Sequence, residues 1–205
     1  MYTVNEVFRS MQGEGARAGS TNVFVRFTGC NMRCAKEAGP KSPGGFDCDT
    51  EFESGRSITT ANLIEWIRYE DEDPAGEPCR AVILTGGEPG LQADASLLAW
   101  LRREKYFVAI ETNGSIALPD GFDWITVSPK VAEHCIRQRE ADEVKYVRGY
   151  GQALPKTVVE ARHKYISPTF NGSEVDKRAL EWCEQLVEGT EWKLSIQGHK
   201  LLNLR

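Results

Sequence analysis

A chain of 205 residues is most simply one domain with a sizeable core, and 40% hydrophobic and 27% charged residues are ordinary for a globular protein. The formal net charge of −5 speaks against a general nucleic-acid binder, which needs a basic face for phosphates. The opening MYTVNEVFRSMQGEG lacks a basic segment followed by an apolar run, and no unbroken apolar stretch approaches ~18 residues, so neither a signal peptide nor a membrane span is expected and the cytoplasm is the expected location.

Residues 2–9 read as a first strand ending near Phe8, broken by Gln12-Gly13-Glu14-Gly15, with Gly19 at a second turn. Residues 22–28 read as the next strand, so the chain opens on a hairpin or near-hairpin. The stretch CNMRCAKEAGPKSPGGFDCDT follows, from Cys30 to Thr50, and five of the thirteen residues between Cys34 and Cys48 are Gly or Pro, which argues against regular helix there. Thr59 or Thr60 is expected to cap a helix with Leu63, Ile64 and Ile67 on one face, ended by the polar run 71–76. Residues 81–84 are all apolar, the pattern of a buried parallel strand, and run directly into Thr85-Gly86-Gly87-Glu88-Pro89. A helix with Leu91, Ala95, Leu98 and Leu101 on one stripe is expected next. Strands are expected at 106–110, ending in Glu111-Thr112-Asn113-Gly114, and at 124–127, ending in Ser128-Pro129-Lys130. Fainter strand patterns lie at 143–147 and 163–166, the second ending in Ser167-Pro168-Thr169. Ser173 is expected to cap a last helix carrying Val175, Ala179, Trp182, Cys183, Leu186 and Val187, and residues 192–196 a last strand before Gln197-Gly198-His199-Lys200. The alternation predicts an α/β fold: a parallel sheet curled into a partial barrel, one domain over 1–205, with a hairpin-like N-terminal extension and an insert in the cysteine loop.

Polar and glycine-containing clusters recur just after strands, where such folds carry their sites. Cys30, Cys34 and Cys48 offer three thiolates on one loop, enough for three irons of a [4Fe–4S] cluster, with the fourth iron left for another ligand. The glycines of TGGEP allow close approach to backbone N–H groups, and Glu88 offers an acceptor for an amine; a tight strand-to-helix turn explains the same residues equally well. Glu111 suits ribose hydroxyls or plain solvent. Arg26 is either a solvated strand residue or a carboxylate clamp. Gln12 and Glu14 could read a heterocycle's amide edge or form a polar loop. His134, His163 and His199 read individually as surface or hydrogen-bonded residues. Cys79 and Cys183 read as packing residues, and Cys135 has no assignment.

Taken in order, these clusters resemble the radical S-adenosylmethionine superfamily, which places three cysteines after the first barrel strand, usually as C-x3-C-x2-C, and GGEP after the second. Here the spacing is C-x3-C-x13-C. The enlarged gap, with SMQGEG at 10–15, VRFTGCN at 25–31, CDT at 48–50, ETNG at 111–114, SPK at 128–130 and HK at 199–200, resembles the 7-carboxy-7-deazaguanine synthases.

That resemblance implies a lyase that uses a [4Fe–4S] cluster on Cys30, Cys34 and Cys48. It implies reductive cleavage of S-adenosylmethionine to a 5′-deoxyadenosyl radical, with S-adenosylmethionine regenerated. It implies ring contraction of 6-carboxy-5,6,7,8-tetrahydropterin to 7-carboxy-7-deazaguanine with loss of ammonia, a step toward queuosine. Gly86, Gly87, Glu88, Glu111, Ser128, Pro129, Lys130, Ser167, Pro168 and Thr169 would line the S-adenosylmethionine. Met11, Gln12, Gly13, Glu14, Arg26, Thr85, His199 and the terminal carboxylate of Arg205 would meet the substrate. Thr50 would place its hydroxyl on a Mg²⁺, a hard cation content with few protein ligands. The resemblance also implies a homodimer, an electron donor such as a flavodoxin or ferredoxin, and no nucleic-acid or membrane partner. Two rivals stand beside it. A glycyl-radical activase would share the cysteines and TGGEP but would not need QGEG or CDT. A structural zinc module wants four protein ligands, and this loop has three Cys and no His.

Overall fold

The structure is a computed structural model and describes residues 1–35, 48 and 50–204. Alternating apolar residues at both ends of the glycine-rich turn make strands β1 (Tyr2–Met11) and β2 (Thr21–Phe27), which pair antiparallel with Val7 opposite Val25. β1 runs three residues past Phe8, because its far end keeps pairing with β2 up to Met11 and Thr21. After the cysteine loop come β3 (Arg56–Ile58), α1 (Thr60–Asp71), β4 (Ala81–Gly86), α2 (Ala95–Arg103), β5 (Phe107–Thr112) and β6 (Trp124–Val127). The second half adds β7 (Glu140–Arg148), β8 (Glu160–Pro168), a small hairpin of β9 (Phe170–Asn171) and β10 (Glu174–Val175), α3 (Lys177–Val187), β11 (Lys193–Leu194) and α4 (Gly198–Leu201).

Nine strands form one sheet in the order β11-β8-β7-β6-β5-β4-β2-β1-β3. Pairing is parallel from β2 through to β11, and β1 and β3 close one edge antiparallel. Among the described residues β11 and β3 stand at opposite ends, so the sheet is open, as a partial barrel requires.

Thr59 caps α1 as expected, its hydroxyl accepting from Asn62 N at 3.2 Å. The other two long helices start later than their apolar stripes suggest. Leu91 lies in a 3₁₀ turn and is half exposed, and α2 begins only after Asp94, whose carboxylate accepts from Leu97 N at 2.8 Å. Ser173 does not cap α3. Val175 pairs in β10, and Asp176 takes the cap position, accepting from Arg178 N and Ala179 N. In both cases a carboxylate nearer the helix outcompetes the residue chosen from periodicity.

Alternate residues of the central strands point to opposite faces. On one face Val82, Leu84, Val108 and Ile110 pack with Leu63 and Ile67 of α1 and Leu97 and Leu101 of α2. A second cluster joins Val127, Val144, Tyr146 and Ile166 to Cys183 of α3 and to Trp192. On the other face the register sets Arg26 beside Thr85, then Glu111 beside Thr126, Thr126 beside Glu143, and Glu143 beside His163. The long helices α1, α2 and α3 pack on the apolar side, and the β1–β2 loop, with α4 against it, lies over this polar row.

Candidate active site

The cysteine loop leaves β2 beside the end of β4. Gly87 N donates to Phe27 O at 3.2 Å and Glu88 N to Gly29 O at 2.9 Å, so the TGGEP turn is laced to the start of the loop. Gly87 is glycine for space: an added Cβ would overlap the Gly29 carbonyl and lie 3.0 Å from the Cys30 Cβ. Glu88 is wholly buried and turned inward. Its oxygens accept from Thr112 Oγ1 at 2.7 Å, Asn113 N at 2.7 Å and Gly90 N at 2.8 Å, which ties β4 to the end of β5. Burial pushes its carboxyl above the usual range, against the pull of those three donors.

Asn113 continues the lacing to Asn31 Oδ1 at 3.0 Å, and Asn31 donates to Ser115 Oγ at 2.8 Å. Cys30 is half-buried, and its sulfur accepts from Met32 N at 3.4 Å. Burial raises this thiol above its ordinary value, with the charges of Glu88 and Cys48 adding to the effect and the Met32 and Asn113 donors opposing it. Although thirteen residues separate them, Cys48 N donates to Cys34 O at 3.4 Å, which sets the two cysteines side by side. The Cys48 thiol faces the Thr50 carbonyl at 3.6 Å. Among the described residues, no three His, Cys, Asp or Glu side chains already stand as a formed metal-binding group.

The β1–β2 loop lies across the polar row. Gln12 Nε2 donates to Glu111 Oε1 at 2.7 Å, and Thr85 Oγ1 to Glu111 Oε2 at 3.4 Å. Gly15 N donates to Ser195 Oγ at 3.0 Å and Ala16 N to Glu143 Oε2 at 2.7 Å. Glu14 is buried. One of its oxygens pairs with Lys145 Nζ; the other accepts from Gln197 Nε2 at 2.9 Å and lies 3.9 Å from His199 Nδ1. Gly13 packs flat against His199: a Cβ there would sit 2.5 Å from its Nδ1. Two segments nearly the whole chain apart are thereby joined.

Burial alone would push the Glu14 carboxyl up. The Lys145 charge and hydrogen bond, Gln197 and His199 outweigh burial and hold it below the usual range. The stabilisation from a lowered carboxyl is complete above the ordinary value of 4.5 and is lost as pH falls through the lower folded value. We therefore expect Glu14→Gln to cost stability at neutral pH, and the gap to wild type to narrow below pH 4.5, read from denaturation midpoints across that range.

The clusters at 128–130 and 167–169 lie at the ends of β6 and β8, on the side of the sheet where β4 and β5 also end. Lys130 Nζ donates to Ser128 Oγ at 2.8 Å, and Pro129 between them is buried. Ser167 and Pro168 end β8, and the Ser167 hydroxyl is buried with no hydrogen-bond partner among the described residues. Arg26 Nε donates to Glu6 Oε1 at 2.8 Å, with its guanidinium over the Phe8 ring at 5.7 Å. The Arg205 expectation lies outside the described residues. Glu6, Glu143, Lys145, Ser195 and Gln197 were not singled out from the sequence. For Glu143 and Lys145 a signal was there: in EVKYV the apolar residues alternate with them, which puts both on one face of a strand. His163 stacks on Trp124, ring centroids 5.6 Å apart, and His134 is exposed on a 3₁₀ turn. Cys183 is core, and the Cys79 thiol donates to buried Asp71 at 3.2 Å.

The crystal structure of QueE from Escherichia coli matches this chain with a TM-score of 0.69 at 22% identity, covering 97% of this chain and 94% of that one, and defines the fold as α/β with a mostly parallel sheet. No family model matches the sequence. Curated relatives do. The chain is 37% identical over 214 residues to the 7-carboxy-7-deazaguanine synthase of Bradyrhizobium diazoefficiens, covering 100% of this chain and 99% of that one. It is 35% identical to the protein of the same name from Caulobacter vibrioides, covering 99% of each, and 35% identical to that of Bacteroides thetaiotaomicron, covering 100% of each. The chain belongs to the 7-carboxy-7-deazaguanine synthase family, a family of enzymes.

Proposed function

We infer that this chain performs the reaction its family is named for, making 7-carboxy-7-deazaguanine by radical ring contraction of 6-carboxy-5,6,7,8-tetrahydropterin with loss of ammonia, for queuosine synthesis. The full-length match to relatives of that name carries the reading. The gathering of Gln12, Glu14, Thr85, Glu111 and His199 over one face of the sheet supports it.

The residues present fit the two cofactors this chemistry needs. Three thiols lie on one loop in which Cys34 and Cys48 come together, the Gly86–Gly87 backbone forms a cradle beside Cys30, and the Ser167 hydroxyl at the end of β8 is buried with no hydrogen-bond partner among the described residues. Cys30, Cys34 and Cys48 would hold a [4Fe–4S] cluster. Gly86 and Gly87, pinned by Glu88, would meet S-adenosylmethionine together with Glu111, Ser128, Pro129, Lys130, Ser167, Pro168 and Thr169. When bound, the pair supplies a carbon-centred radical strong enough to take a hydrogen from the pterin.

The chain's own part is binding and orientation. Gln12, Gly13 and Glu14 would hold the pyrimidine edge, with Met11 beside them. Arg26 would exchange its Glu6 partner for the substrate carboxylate, a planar fork meeting a planar anion. Thr85 and His199 would bound the ring, and Arg205 would close the site through its terminal carboxylate. Thr50 would hold Mg²⁺ against the substrate.

The chain would work as one domain over 1–205, as a homodimer, with a flavodoxin or ferredoxin as electron donor and without nucleic acid. Among the described residues no helix is long and apolar enough to cross a membrane. The described cysteines are free thiols, in keeping with a cytoplasmic setting.

The test is anaerobic reconstitution with iron and sulfide, then incubation with S-adenosylmethionine, Mg²⁺, a reductant and the carboxypterin. The expected results are a brown protein absorbing near ~400 nm and the ring-contracted acid by mass. A colourless zinc protein, or a reconstituted protein that leaves the pterin intact, would refute the reading.

A further inference from the structure

The buried ion pair behind the QGEG loop extends the site beyond its motif residues. We propose that Lys145 is a positioning residue for this reaction, acting through Glu14 to aim and hold its carboxylate as the acceptor for the N–H edge of the pterin's pyrimidine ring. The proposal rests on the functional reading above.

Lys145 lies within β7, paired on the β8 side with Tyr165, so its backbone is fixed by the sheet. Glu14 comes from the β1–β2 loop, whose backbone on either side of it is tied at Gly13 to Gly198 and at Gly15 and Ala16 to Ser195 and Glu143, but its carboxylate is held by side chains alone. The Lys145 and Glu14 side chains are only 11% and 9% exposed. The pair therefore fixes the Glu14 carboxylate against a sheet strand, which a functional carboxylate needs if it is to be held in place before its ligand arrives.

The two Glu14 oxygens are used differently. One meets Lys145 and the other takes the Gln197 amide at 2.9 Å. A carboxylate oxygen carries two acceptor sites, so among the described residues each keeps one in hand. A ring N–H and an adjacent exocyclic amine, side by side on a pyrimidine, would fill both as a bidentate pair. That recognition needs the ionised form, because a protonated acid turns one acceptor into a donor.

The charges facing the pair all belong to this site. Lys145 and His199 face Glu14, whereas Glu111 from β5 and Glu143 from β7 also surround the Lys145 ammonium. Arg17 faces Glu111 and Glu143 in turn. Burial disfavours the charged lysine, but its three carboxylate neighbours outweigh burial and keep it protonated. Without Lys145, a buried Glu14 among Glu111 and Glu143 drifts to its neutral form.

The experiment compares wild type, K145M, K145R, E14Q and E14Q/K145M, each reconstituted, by steady-state kinetics and by anaerobic calorimetry of carboxypterin binding. K145M is expected to raise KM and Kd on the order of tenfold or more while kcat changes less. It should also make KM fall as pH rises between about 6 and 9, where wild type stays flat. K145R should restore most of the binding, and K145M should add nothing to E14Q.

A K145M enzyme with wild-type KM and a flat profile would overturn the proposal, as would E14Q and K145M effects that multiply. If K145M alone fails to fold, E14Q against E14Q/K145M, with both charges removed together, decides by the same criterion. Wild type that converts the carboxypterin while Lys145 proves indifferent sinks this inference alone. Wild type that neither binds nor converts it sinks the functional reading as well.

Discussion

Cys34→Ala yields a protein that loses iron, loses its absorption near ~400 nm and stops turning over the carboxypterin. The expectation follows from the donor set. Only Cys30 and Cys48 would remain on the loop. The other three cysteines are committed elsewhere or remote: Cys183 in the core under α3, Cys79 against Asp71, Cys135 on an exposed turn. The loss should exceed the roughly 10–100-fold that changes to an outer-shell partner typically cost, because the proposed role of Cys34 is that of a ligand itself. Iron content and turnover of the variant check it. Undiminished values for both would mean that the enlarged spacing has changed the ligand set.

Gly87→Ala has a comparably large expected effect through sterics alone. The new Cβ meets the Gly29 carbonyl and the Cys30 Cβ, and neither is the free end of a flexible side chain. The start of the cysteine loop must move, and with it the hydrogen bond from Glu88 N to Gly29 O. A displacement of about 1 Å at a reacting centre costs on the order of 10²-fold in rate, and overpacking costs about 1–3 kcal/mol of stability. Gly19→Ala separates backbone strain from steric overlap: its φ of 88° strains an added side chain, but its Cβ meets nothing within 4 Å, so it should cost stability and leave kcat and iron content intact. A Gly87→Ala enzyme with normal kcat and iron content would show that the strand-end cradle is looser than its contacts imply.

Much of the rim was readable in the chain because its residues come in short runs after apolar strands. TGGEP, ETNG and SPK each mark the end of a strand, and strand ends in a parallel sheet share one side. Reading went astray where a local competitor decided the outcome. Asp94 and Asp176 set the starts of α2 and α3 against the apolar stripe, and the three-residue β3 was too short to leave a pattern. Glu6 and Lys145 escaped notice for a different reason. A single charged residue inside a strand looks like a solvated one until its neighbours across the sheet are known, and here those neighbours are Arg26 and Glu14.

The family, the three cysteines and the order of the polar clusters belong to the sequence alone, because motifs keep their spacing whatever the chain does between them. The use of Glu88 as an internal brace, the return of Cys48 to Cys34 across thirteen residues, the seating of His199 on Gly13 and the burial of Lys145 against Glu14 required the tertiary structure. Each joins segments far apart in the chain. Such pairings are settled by which strands lie side by side and which faces they turn inward, and one-dimensional spacing does not carry that information.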